Sequence, residues 1–280
     1  MWTTLVGAEI LRARLDDPDW VVVDCRHRLE APDWGRRAWA AGHVPGAVHA
    51  HLDEDLSGPR APGAGRHPLP EPAALGRRLG AWGIDERCQV VAYDDAGGTV
   101  AARLWWLLRW LGHRAVAVLD GGWQAWVEAG GPVETAAPAP VSREFAPAPR
   151  PQMLLDTEAV VDLLGDPGWR LVDARSPERF RGEREPYDPV AGHVPGAVNR
   201  PCAHNLDPFG RFLPPQALRA AFREVLGPVP PERSVHYCGS GVTACHNLLA
   251  MAHAGLDGGR LWPGSWSAWV ADPTRPVARG

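Results

Sequence analysis

An eight-residue run occurs twice in this chain. Ala41-Gly-His-Val-Pro-Gly-Ala-Val48 returns as Ala191-Gly-His-Val-Pro-Gly-Ala-Val198. Shorter matches follow in the same order. Val23-Asp24-Cys25-Arg26 corresponds to Val172-Asp173-Ala174-Arg175, and Gly122-Trp-Gln-Ala-Trp126 corresponds to Ser265-Trp-Ser-Ala-Trp269. A fourth pair aligns Tyr93-Asp94-Asp95-Ala96-Gly97-Gly98-Thr99 with Tyr237-Cys238-Gly239-Ser240-Gly241-Val242-Thr243. Ordered self-similarity of this kind marks a duplicated structural unit. With 280 residues, the chain is long enough for two domains.

Each half alternates short apolar runs with helical patterns. Residues 20–24, 90–93 and 115–119 read as buried strands in the first half, and 71–82 and 99–111 as helices. In the second half, 170–173 and 235–237 read as strands and 214–226 as a helix. Such alternation predicts an α/β fold in each half, a mostly parallel sheet flanked by helices. Residues 132–151 are rich in proline and alanine and read as a semi-rigid linker. The expected division is therefore 1–131, a linker at 132–151, and 152–280. The glycine- and proline-rich stretch 61–72 reads as a loop reaching out of the first domain.

Composition narrows the function classes. The net charge of −4 gives no basic field for nucleic acid or a membrane surface. All 29 basic residues are arginine, so Schiff-base chemistry and a phosphate-loop lysine are excluded. Residues 1–14 have neither the apolar core nor the cleavage site of a secretory leader, and no run is long enough for a membrane span. Five cysteines at 25, 88, 202, 238 and 245 form no metal-type spacing and leave an odd count. The expectation is a cytoplasmic protein in a reducing compartment, without metal or organic cofactor. Trp105, Trp106 and Trp110 fall on one predicted helix, as core or interdomain packing.

Cys238 stands at a strand-to-helix turn, before a helix predicted to run from just after Gly241 to about residue 254. Gly239 and Gly241 allow the backbone to curl. A curled loop at a helix start turns N–H groups inward and favours negative charge, which suits a thiolate. Read alone, the position also suits a small buried cysteine after a core strand. At the equivalent position the first half has Asp94, which cannot carry a sulfur atom as a persulfide. His43 and His193 occur in both halves and read as structural.

The segment Cys238-Gly-Ser-Gly-Val-Thr243 resembles the active-site loop of the rhodanese superfamily, in the form typical of 3-mercaptopyruvate sulfurtransferases. The resemblance extends over nearly the whole chain, with the tandem arrangement in which only the second domain has the cysteine. It implies two rhodanese-like domains, the first catalytically silent. Related phosphatases have a loop one residue longer that ends in arginine, which this chain lacks. The resemblance implies that Cys238 is the nucleophile and that the loop N–H groups of Gly239, Gly241, Val242 and Thr243 hold the transferred sulfur. It assigns proton handling to Ser240, to His67 of His67-Pro-Leu-Pro70, and to Asp53. It makes Arg179, within Arg179-Phe-Arg-Gly182, the anchor of an anionic donor.

One departure bears on the donor. Mercaptopyruvate enzymes carry a second arginine after a Glu-Pro pair, whereas this chain has Glu185-Pro186-Tyr187. Tyr187 can hydrogen-bond a carboxylate but adds no charge, and Arg181 or Arg184 are candidate substitutes. The neutral loop residues Gly239 and Ser240 favour 3-mercaptopyruvate; the missing arginine favours thiosulfate. The leading expectation is transfer of sulfane sulfur from 3-mercaptopyruvate through a Cys238 persulfide to cyanide or a thiol acceptor such as thioredoxin. The alternatives are a thiosulfate:cyanide sulfurtransferase and a non-catalytic sulfur carrier or binding module. Cys245, on the helix after the loop, resolves a disulfide with Cys238 only if that helix turns.

Overall fold

The computed structural model describes residues 1–280 and divides into two compact units. The first comprises Met1–Gly58, Pro70–Arg150 and Pro208–Phe212. Its elements are β1 (Leu5–Val6), α1 (Ala8–Arg12), β2 (Trp20–Asp24), α2 (Trp34–Ala41), β3 (Val48–His49), α3 (Pro72–Ala81), β4 (Gln89–Tyr93), α4 (Ala101–Trp110), β5 (Val116–Leu119) and α5 (Gly122–Glu128). The strands form one parallel sheet in the order β1-β5-β4-β2-β3. Every residue of β4 is buried, as a parallel strand covered on both faces requires. The sequence dictates α3 locally: Pro72 occupies its first turn, and the Glu71 carboxylate accepts the N–H groups of Ala73 and Ala74. Trp105, Trp106 and Trp110 are buried on α4.

The second unit comprises Pro59–Leu69, Pro151–Asp207 and Leu213–Gly280. It contains α6 (Thr157–Asp162), β6 (Arg170–Asp173), α7 (Pro177–Arg181), β7 (Val198–Asn199), α8 (Pro215–Leu226), β8 (Ser234–Tyr237), α9 (Ala244–His253), β9 (Arg260–Leu261) and α10 (Ser265–Trp269). Its parallel sheet runs β7-β6-β8-β9, and an isolated bridge from Leu154 to Leu261 extends it at the β9 edge. That bridge stands where β1 pairs with β5 in the first sheet. Val235, Tyr237, Trp262, Trp266 and Trp269 form the centre of the apolar core. No helix in the chain is long and apolar enough to cross a membrane.

The repeated motifs build the same devices twice. Arg26 grips Asp24 and the Gly42 carbonyl; Arg175 grips Asp173 and the Gly192 carbonyl, each carbonyl at 2.7 Å. Burying such a pair is tolerable only because each guanidinium is so fully hydrogen-bonded. His43 and His193 are both buried, with Nδ1 at 2.7 Å from the Trp39 carbonyl and 2.8 Å from the Phe180 carbonyl. Their rings stack on Trp39 and Phe180.

The predicted strands and helices are present, with ends shifted by a few residues. The helix predicted after Gly241 begins at Ala244 and is capped by Ala254. Sequence division and compactness differ over two segments. Residues 59–69, expected in the first domain, belong to the second unit, where the Arg66 N–H donates to Ser267 Oγ at 3.1 Å. Residues 208–212 belong to the first unit, where the Phe212 N–H donates to Asp120 at 2.9 Å. Residues 132–150, read as a semi-rigid linker, lie along the first unit, with Arg143, Ala148 and Arg150 N–H groups bonded to Gly80, Leu111 and Trp110 carbonyls.

Candidate active site

Cys238 is the first residue beyond β8, an interior strand of the second sheet. Sites in parallel sheets gather at such carboxyl ends. Its backbone is fixed on both sides. The Cys238 N–H donates to Ser265 Oγ at 3.1 Å, and its carbonyl accepts from the Trp266 N–H at 3.0 Å. Ser265 Oγ in turn donates to the Trp262 carbonyl at 2.9 Å. Ser265 has φ 52°, the one non-glycine residue with positive φ. The repeat-equivalent residue is Gly122, at φ 57°. The second unit thus keeps a side chain in a costly conformation, and that side chain's hydroxyl meets the backbone of Cys238.

The loop leads from Cys238 through Gly239, Ser240, Gly241, Val242 and Thr243 into α9. Gly241 has φ +78°, and a Cβ there would lie 2.5 Å from the Pro263 carbonyl oxygen, so only glycine fits. The corresponding loop of the first unit reveals what this shape holds. Asp94, in the place of Cys238, accepts four backbone N–H bonds, from Ala96, Gly98, Val100 and Ala101, at 2.8–2.9 Å. The fold therefore surrounds an anion here, and in the first copy the anion is the chain's own carboxylate. Across the repeat those donors correspond to Ser240, Val242, Ala244 and Cys245.

Of the other thiols, Cys25, Cys88 and Cys245 are buried and Cys202 is half-buried. Burial, and next the charge of Cys238, push the Cys202 thiol up to about 12. Cys202 follows β7 and Cys238 follows β8, with β6 between them. Cys245 is buried in the first turn of α9, with Sγ 3.4 Å from the Gly241 carbonyl oxygen.

His67 is buried in the second unit, and its Nδ1 lies 2.7 Å from Ser240 Oγ. The sequence placed these residues in different halves; the structure makes them one hydrogen-bonded pair. Asp53 belongs to the first unit, in the segment after β3, where its charge raises the His27 pKa against the stronger lowering by burial.

Arg179 lies on α7 with its guanidinium held by Glu185, Nε to Oε2 at 3.1 Å and Nη2 to Oε1 at 2.7 Å. Its Nη2 is also 3.5 Å from Asp188. Arg181 is paired with Glu183 in an exposed bond, and Arg184 is exposed. The cation that stands close to the loop besides Arg179 is Arg66, which sequence reasoning passed over. A Cβ on Gly239 would lie 2.9 Å from Arg66 Nη2 and 3.3 Å from Arg179 Nη2. Arg66 also pairs with Asp188. Both guanidiniums lie over the Tyr187 ring, Arg179 at 5.1 Å and Arg66 at 5.9 Å from its centroid. Tyr187 is thus a half-exposed wall beneath two cations. The available signal for Arg66 was its position next to His67; for Ser265, its place opposite Gly122 in the repeat.

A family model described as Rhodanese-like domain matches residues 7–129 and 156–272. The chain belongs to the rhodanese family. Both copies of the rhodanese domain are matched, in agreement with the duplication. The chain is 50% identical over 278 residues to a protein of Pseudomonas aeruginosa named a probable 3-mercaptopyruvate sulfurtransferase, covering 99% of this chain and 98% of that one. It is 32% identical to the thiosulfate sulfurtransferase of Rattus norvegicus, covering 98% and 93%. Among solved structures, the 3-mercaptopyruvate sulfurtransferase from Leishmania major superposes with a TM-score of 0.83 at 31% identity, covering 95% of this chain and 73% of that one. Cys238–Thr243 lies within the second matched copy, and Asp94, at the position equivalent to Cys238, lies within the first.

Proposed function

We propose that this rhodanese is a sulfurtransferase that takes sulfane sulfur from 3-mercaptopyruvate onto Cys238 and passes it to a thiol or to cyanide. The observation that carries the choice of donor is the 2.7 Å contact of His67 Nδ1 with Ser240 Oγ, two residues beyond the nucleophile. The Cys238 thiolate attacks the donor sulfur. The carbon–sulfur bond breaks with its electron pair going to carbon, which leaves an enolate. The sulfur stays on Cys238 as a persulfide, within the loop N–H groups. The enolate needs a proton to become pyruvate. Ser240 supplies it and is resupplied through His67, because a hydroxyl near neutral pH needs a base to relay through. Asp53 is the proposed third member of this relay, on the strength of the family resemblance. An acceptor thiolate such as thioredoxin's then attacks the outer sulfur, and the Cys238 thiolate returns.

Thiosulfate is the second reading, favoured by the neutral Tyr187 and by the likeness to the rat enzyme of that name. Sulfite leaves as a stable anion and needs no proton at carbon. Steady-state kinetics with each donor, cyanide as acceptor, separate the two. A kcat/KM for thiosulfate above that for 3-mercaptopyruvate would overturn the donor assignment.

A further inference from the structure

We propose that Arg66 is a second donor-binding cation of this site, and that Asp188, seated against it, sets a preference for a singly charged donor. The proposal rests on the sulfurtransferase reading above and deepens it. Three observations support it, all within the second unit.

The first is position. The direction in which Gly239 would carry a side chain is bracketed by Arg66 Nη2 at 2.9 Å and by Arg179 Nη2 and Nη1 at 3.3 and 3.4 Å. Gly239 directly follows the nucleophile, so an anion attached to the donor sulfur meets both guanidiniums at once.

The second is how firmly Arg66 is held. Its backbone N–H donates to Ser267 Oγ at 3.1 Å, while the Ser267 N–H donates to the Gly239 carbonyl at 2.9 Å. One residue therefore ties the arginine's backbone to the catalytic loop. Gly65 packs so closely that a Cβ there would lie 2.7 Å from the Gly264 carbonyl oxygen. The guanidinium itself remains open to a ligand, with the Arg66 side chain 23% exposed and that of Arg179 16%.

The third is charge balance. Arg66, Arg175 and Arg179 face Asp173, Glu185 and Asp188, joined by hydrogen-bonded ion pairs. Asp173 binds Arg175, Glu185 bridges Arg175 and Arg179, and Asp188 is shared by Arg66 and Arg179. Burial, with Glu185 beside it, pushes the Asp188 carboxyl up, although Arg66 and Arg179 oppose this. A monoanionic donor adds one charge to a balanced cluster. A dianion adds two, against a carboxylate already in place, and like charges at this range repel.

Calorimetric binding to Cys238→Ser protein reads the anchor without sulfur transfer. In that background, Arg66→Met should weaken 3-mercaptopyruvate and thiosulfate about ten- to a hundredfold, the loss of one charge-assisted contact, and Arg66→Lys should recover part of it. Asp188→Asn should tighten thiosulfate about fivefold and 3-mercaptopyruvate less. Opposite shifts from the two substitutions do not arise from misfolding. Arg66→Met binding both donors like its parent would overturn the proposal, as would Asp188→Asn weakening both. If the donors bind as described but Cys238 of the unaltered chain gains no sulfur, the transfer reading fails and the anion site stands.

Discussion

His67 Nδ1 and Ser240 Oγ are 2.7 Å apart although 173 residues separate them in the chain. Both side chains are buried, so one proton lies between them out of contact with bulk water. Removing either should slow the donor that needs a proton at carbon. Ser240→Ala and His67→Ala should each lower kcat for 3-mercaptopyruvate by about tenfold to a thousandfold, the lower part within the range of general acid–base catalysis. The double variant should fall little further, since the two act as one unit. Asp53→Asn should lower the same rate. Thiosulfate transfer should change much less. Equal losses with both donors would reduce Ser240 to a residue that shapes the loop.

Ser265 gives a prediction about the backbone of Cys238. Its hydroxyl is the acceptor for the buried Cys238 N–H. Ser265→Ala leaves that donor unpaired and keeps a side chain at φ 52°, so it should cost about 1–3 kcal/mol and slow transfer from both donors. Ser265→Gly relieves the backbone strain, as Gly122 does in the first unit, and should recover stability relative to alanine without recovering rate. Thermal unfolding and kcat for the two variants check this. Equal stability of Ser265→Ala and Ser265→Gly would contradict it.

Much of the architecture was legible because it was written twice. The repeat of 41–48 at 191–198 and the strand cores at 20–24 and 170–173 fix two parallel-sheet domains, and apolar periodicity locates α3, α4 and α8. The two-residue strands β1, β3, β7 and β9 escaped, since a pair of residues has no period. Cys238 was legible through the loop's glycines, and Ser240 only through the resemblance. His67 was legible through resemblance, but not its membership of the second unit, which depends on Gly65 fitting against Gly264. Arg66 was missed because its one local signal, the neighbouring His67, does not show what the guanidinium meets. Its importance comes from Asp188 and Gly239, far away in sequence.

His236 predicts an acid limit to stability. Ser234 Oγ donates its proton to the Pro231 carbonyl at 2.7 Å, so the His236 Nε2, 3.1 Å away, must be the donor to that hydroxyl. Nδ1 is then bare and buried without a partner. Burial lowers this histidine's pKa to about 3. The unfolded chain binds its proton near pH 6.5, the folded chain only near 3, so stability is full above 6.5 and falls as pH drops between them. The expected slope is about 1.4 kcal/mol per pH unit from this residue. Denaturant titrations from pH 7 to 4 should show a shallower fall in His236→Gln than in the unaltered protein. Parallel curves would show that His236 is not the group responsible.

Cys238 Sγ is the proposed carrier of the transferred sulfur. The most direct measurement is the intact mass of the protein after 3-mercaptopyruvate is added without an acceptor. A gain of about 32 Da that maps to Cys238, is lost on adding a thiol and is absent from Cys238→Ser is the predicted result. Sulfur found on Cys25, Cys88, Cys202 or Cys245, or full turnover by Cys238→Ser, would contradict it.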